Sequence, residues 1–337
     1  MIYSFGFAQN PFEITDLTLA SERAIHRSTF EYSKTDTFSY DLRIAYTENN
    51  KPKFYYTDLV TPVCESGGCL LVTVKTYWDL VGTYLNFQLP PDRFLTKIDH
   101  EHFEAADYEK LDRILSDPQW PLAGYSISEL IVDSTKSLVD REIDAYTGAT
   151  APFVREQDNI SGALYTIYTL WEFVHDEEIV NNLQSNTFSL TEDENVRLTD
   201  FLSSDRESYW KWAIEHLDSS QIDDNTNLLL LNITRNADHY LGFEALKWIN
   251  ANTLVMQKQL WEVFKEVSFY KKRDIIDKLL EHKIKDQVLI EVINYLPKSN
   301  NPMESLLIKK LIDQNKPWSD NVMKSVDTDG LKIINDG

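Results

Sequence analysis

Thr150 ends a short run, Asp144-Ala145-Tyr146-Thr147-Gly148-Ala149-Thr150, in which a hydroxyl stands among side chains too small to shield it. A hydroxyl accepts a transferred phosphoryl group only if donor and transferring enzyme can reach it. Gly148 and Ala149 leave room for that approach, and Pro152 stops a strand from running on. An apolar helix is expected from Asn159 to His175, and its N-terminal amides would suit a phosphate. An ordinary turn of small residues has the same local signature. Cys64 and Cys69 are the second cluster. They bracket Glu65-Ser66-Gly67-Gly68 and are the only cysteines in the chain. The spacing allows an intramolecular disulfide, which would point to an oxidising compartment; two reduced thiols at a turn are the alternative. Two thiols do not make a four-ligand zinc site. Their spacing is also not that of the familiar dithiol oxidoreductases, so a structural role is expected. His100-Glu101-His102 reads better as a surface loop than as a metal site. No triad or carboxylate pair is visible, so no catalytic residue and no metal ligand is assigned.

At residues 144–150 the sequence resembles a known family. The run is similar to the flavinylation motif of the FMN-binding domain in the C subunit of the sodium-translocating NADH:quinone reductase and the G subunit of the Rnf complex. That motif reads Asp, two residues, Ser or Thr, Gly, Ala, then Thr or Ser. The resemblance implies an FMN-binding-like α+β domain with FMN joined by a flavin transferase, through a phosphoester, to Thr150. Asp144 and Gly148 would then serve recognition and loop shape, with Thr147 and Ala149 completing the cofactor-binding motif. The resemblance spans at most residues 60–175. Nothing here reproduces the Gly-Glu-Thr-Pro-Gly-Leu-Gly-like loop that lines the flavin in that family, and the family's membrane anchor is missing.

The elements needed to position such a loop follow from the residue pattern. Phe38 to Tyr46, a turn at Glu48-Asn49-Asn50 and Phe54 to Thr57 predict a hairpin. Leu70 to Thr76 and Thr83 to Phe87 predict further strands. Glu104 to Leu115 and a capped start at Ser126 to Leu130 predict helices. Beyond residue 186 the periodicity is helical throughout. The run Tyr209 to Leu217 is echoed at Gly242 to Ile249, Asp274 to Leu280 and Leu306 to Ile312, a period of about 32 residues that signals stacked helix pairs. Trp210, Trp212, Phe243, Trp248, Trp261 and Phe264 are expected in the interhelix core.

Composition bounds the function. The 337 residues carry 33 Lys and Arg against 54 Asp and Glu, a formal charge of −21. A nucleic-acid partner needs a basic face, and no basic run supplies one. No apolar stretch reaches the roughly 18 residues of a membrane span. Residues 1–9 resemble the end of a signal peptide, which with the cysteine pair predicts an extracytoplasmic, periplasmic or secreted protein. The expected architecture is an FMN-binding-like α+β domain over 10–180, followed by an all-α, HEAT-like helical-repeat domain over 186–330. Two functions fit it. One is an electron-transferring flavoprotein. The alternative is a non-enzymatic scaffold whose helical repeats bind a protein partner, the flavin-like domain being structural.

Overall fold

The computed structural model describes residues 17–31, 37–62, 71–91, 93–97, 101–125, 156–192, 196–299 and 301–326. The chain divides into two compact units, residues 14–196 and residues 197–337 together with 1–13.

The first unit is built on an antiparallel meander. Strands β1 (Ser21–Glu31), β2 (Thr37–Tyr46), β3 (Pro52–Pro62), β4 (Leu71–Trp78) and β5 (Tyr84–Gln88) pair in sequence order. The β2–β3 turn closes as the sequence predicts: Asn50 takes a positive φ of 57°, and its N–H donates to the Thr47 carbonyl at 2.9 Å. Asn tolerates the left-handed region because its short polar side chain can bond locally. Period-2 alternation then sorts the side chains. Tyr40, Leu42 and Ile44 of β2 are buried on one face, and register places Tyr55, Leu59, Val74 and Trp78 on that same face. Ala45, Phe54, Tyr56 and Tyr77 form a second buried cluster with Leu17 and Leu85.

Two helices cover the first face. Helices α1 (Ala105–Leu115), α2 (Leu164–Val174) and α3 (Glu177–Glu192) complete the unit. Phe173 of α2 is fully buried and meets the rings of Phe30, Phe38, Tyr40 and Trp78 at centroid distances of 5.3, 5.5, 5.5 and 6.0 Å. Each such pair adds about 0.5–1.5 kcal/mol beyond burial. The Trp78 indole N–H donates to the Val174 carbonyl at 2.9 Å. From α3, Gln184 donates to the Val81 carbonyl at 3.0 Å, and the Thr187 hydroxyl lies 2.7 Å from that of Tyr55. Helix α3 therefore belongs to the sheet unit, although the change in composition falls inside it. Helix α2 begins later than its apolar pattern predicts, because Gly162 with φ 73° turns the chain just before it.

The second unit is helical throughout its described residues: α4 (Leu198–Leu202), α5 (Glu207–Glu215), α6 (Asp224–Asn236), α7 (His239–Trp248), α8 (Leu254–Glu266), α9 (Phe269–Leu280), α10 (Asp286–Tyr295), α11 (Pro302–Gln314) and α12 (Asp320–Ser325). Contacts join α4, α6, α8, α10 and α12 in one rank and α5, α7, α9 and α11 in a second. The four echoed segments of the sequence are the second rank. Starts are fixed by side-chain caps: Asp223, Asp238, Thr253, Asn301 and Ser319 accept backbone N–H groups at the heads of α6, α7, α8, α11 and α12. Buried amides clasp neighbouring repeats. Asn227 Oδ1 accepts from the Asn250 N–H at 2.8 Å. Gln257, fully buried, donates to the carbonyls of Ala251 and Lys283 at 3.0 and 3.2 Å and accepts from the Lys285 N–H at 2.9 Å.

Two expectations are corrected. Phe243 is 40% exposed and not in the core, whereas Trp210, Trp212, Trp261 and Phe264 are buried. The period of the second rank places Phe243 on the outer side of α7. The extracytoplasmic location also falls. No disulfide is seen among the described residues. The cysteine pair therefore gives no support for an oxidising compartment. Met1 to Ala8 and both cysteines lie outside the described residues, and no signal segment is established.

Candidate functional site

The predicted flavin-attachment residues, Asp144, Thr147, Gly148, Ala149 and Thr150, all lie outside the described residues, as does the predicted helix at Ser126 to Leu130. His102 is exposed and stacks on Phe94 at 3.7 Å between ring centroids. Among the described residues no group of three or more metal-ligating side chains converges, and no helix is long and apolar enough to cross a membrane.

Among the described residues the helical unit presents a different site. Tyr240, Tyr270 and Met303 occupy the second position of α7, α9 and α11, and they are 67%, 62% and 57% exposed. Three residues further on stand Phe243, Arg273 and Leu306; four beyond those stand Lys247, Asp277 and Lys310. Positions i, i+3 and i+7 share one side of a helix, so the second rank carries a repeated stripe of apolar and charged side chains. Its helices are tied side by side. His239 Nε2 lies 2.7 Å from Asp274 Oδ2, Lys278 donates to the Lys247 carbonyl at 3.0 Å, and Lys310 pairs with Asp277 at 3.0 Å. The Lys247 ammonium sits 4.7 Å above the Phe243 ring, a cation–π contact that orients both.

An open cleft of about 570 Å³ lies beside the stripe, where α6 turns into α7 and α8 into α9. Arg235, His239, Glu266, Ser268 and Lys271 line it. Lys271 is 91% buried by its 9% exposure, and its ammonium donates to the carbonyls of Arg235 and Ala237, the former at 3.0 Å. Gly242 makes this possible: a Cβ there would lie 3.4 Å from Lys271 Cε and 3.1 Å from the Thr234 carbonyl. Burial holds the Lys271 ammonium below the usual lysine pKa, opposed by the charge of Asp238.

No family model, curated protein or solved structure matches the chain. The arrangement is one of exposed anchors on helices bonded to one another. Sequence reasoning missed the stripe. The repeat in the sequence, with its period of about 32 residues, aligns Tyr240 with Lys272 and Glu304; only the observed helix starts at His239, Phe269 and Pro302 put Tyr240, Tyr270 and Met303 at one position.

Proposed function

We propose that this chain is a protein-binding scaffold whose working surface is the second rank of a HEAT-like helical repeat. One observation carries this reading: five large apolar side chains, Tyr240, Phe243, Tyr270, Met303 and Leu306, stand 40–67% exposed at equivalent positions of three successive helices. Single exposed apolar residues need no explanation, but a contiguous apolar surface rimmed by charge marks an interaction site. Aromatic anchors on a pre-organised support lose little conformational entropy on binding.

Photo-crosslinking in cells tests it. A benzophenone side chain at Tyr270 should give a discrete covalent adduct, whereas one at Glu262, an exposed position of the other rank, should give none. The adduct's partner, once purified, should bind the native chain and bind Tyr270→Ala at least tenfold more weakly. Absence of adducts at both sites would overturn the reading.

The run Asp144 to Thr150 favours a second reading, an electron-transferring flavoprotein with FMN esterified to Thr150. Its support is chemical: a hydroxyl acceptor among small residues, in a motif like that of flavinylated domains. Incubated with a flavin transferase and its flavin donor, the native chain should show in-gel fluorescence after denaturation, and Thr150→Ala should not. A colourless native chain would sink it.

A further inference from the structure

Lys271 stands apart from the other lysines of the second rank. Lys247, Lys272, Lys278 and Lys310 each lie within 3.0 Å of a carboxylate. The Lys271 side chain instead donates to the backbone carbonyls of Arg235 and Ala237, at 3.0 and 2.5 Å. It is 9% exposed, yet it lines the open cleft of about 570 Å³, a volume within the range of ligand pockets, about 300–1,000 Å³. The charged groups around it are matched. Arg235 of α6 pairs with Glu266 of α8 at 3.2 Å, and His239 of α7 lies 2.7 Å from Asp274 of α9. Asp238, in the turn from α6 to α7, opposes the effect of burial on Lys271, and burial outweighs it. The neutral amine is therefore easier to reach than in an ordinary lysine. An amine that donates two N–H bonds to carbonyls keeps its remaining tetrahedral direction for a lone pair.

We infer that Lys271 is a modification site, a cleft amine that takes a small acyl group from an acyl phosphate. The ammonium first gives one proton to water. The amine then attacks the acyl carbon: a C–N bond forms, the C–O bond to phosphate breaks, and phosphate leaves with the electron pair. The surplus proton on nitrogen passes to water. The resulting amide has one N–H where the ammonium had three, so at most one of the two carbonyl bonds survives. The site has little slack for the added group, since a Cβ at Gly242 would already lie 3.4 Å from Lys271 Cε. Acylation therefore loosens the α6–α7 turn from α9, beside Tyr240 and Tyr270. An exposed lysine meets the donor more easily, but with an ordinary pKa of about 10.4 it is almost wholly ammonium near neutral pH and has no lone pair to offer.

Acetyl phosphate added to the native full chain, with each lysine followed by mass spectrometry, tests this. Near neutral pH Lys271, 9% exposed, should acetylate at least about threefold faster than Lys247, 51% exposed, and its rate should level off below the ordinary lysine pKa of about 10.4. The lead should vanish in urea, where both side chains are open to solvent. Chains acetylated at Lys271 should exchange the amides of Ala237 to Gly242 faster than unmodified chains. Three results would each overturn the inference: Lys271 no faster than Lys247 in the folded chain, a lead that persists in urea and so comes from the adjoining Lys272 and Arg273, or acetylation that leaves exchange at the turn unchanged.

Discussion

Lys272 Nζ lies 2.6 Å from Glu304 Oε2, with the two side chains only 13% and 8% exposed, so a nearly buried ion pair joins α9 to α11. The Tyr295 hydroxyl donates to the other oxygen of Glu304 at 3.1 Å, and the Phe264 ring lies 5.3 Å below the ammonium. Four elements meet at these groups. The helices of the second rank are joined to each other by such bonds as well as by packing.

Glu304→Gln should therefore destabilise the helical unit by on the order of 3 kcal/mol, since it leaves a buried ammonium without its counter-charge. Asp277→Asn, which breaks the exposed pair with Lys310, should change stability by less than about 0.5 kcal/mol. Urea unfolding of both variants checks this, and equal effects would contradict the assignment.

The clasp made by Gln257 sets a second expectation. Gln257→Leu keeps roughly the same volume but strands the Lys285 N–H and the carbonyls of Ala251 and Lys283, all bonded to it now. A loss of about 2–4 kcal/mol is expected from the unsatisfied groups. Hydrogen exchange should quicken first at Lys285, whose amide would no longer be protected.

Gly82 lies in the turn between β4 and β5 with φ 83°, and a Cβ there would sit 3.0 Å from Val180 Cγ1 of α3. Gly82→Ala should cost about 1–3 kcal/mol in the sheet unit, combining left-handed backbone strain with a forced shift of Val180. A thermal melt within 1 °C of the native chain would rule out this close approach.

His175 gives the sheet unit a pH dependence. Burial lowers its pKa from the ordinary 6.5, opposed by its bond to the Leu115 carbonyl at 2.9 Å and by the charge of Asp117. Below about pH 6.5 the unfolded chain binds the proton more readily than the folded one. The stability this histidine contributes is thus complete above that pH and is lost as pH falls toward the lowered folded value. Melting temperatures between pH 7.5 and 5 should fall less steeply in His175→Gln than in the native chain. Parallel profiles would refute the role.

The repeat and the two-part organisation were legible in the sequence because both rest on local periodicity. The helical periodicity around Trp210, Trp261 and Phe264 and the Asn50 turn act within a few residues, and each reappears in place. Strand β1 was not legible. Its Ser21-Glu22-Arg23 start is exposed and polar, and it is a strand because ten of its residues find partners on β2.

What the sequence determined by itself is the character of each segment: a β-rich portion and a helical portion with a period. What only the tertiary structure decided is which side of each helix faces out. Phe243 and Trp261 are both large and apolar, and periodicity treats them alike. Neighbouring helices cover Trp261 to 1% exposure and leave Phe243 at 40%. Burial depends on which helices pack against which, a relation between residues some 30 positions apart that no local pattern encodes. The candidate surface appears only when α7, α9 and α11 lie side by side.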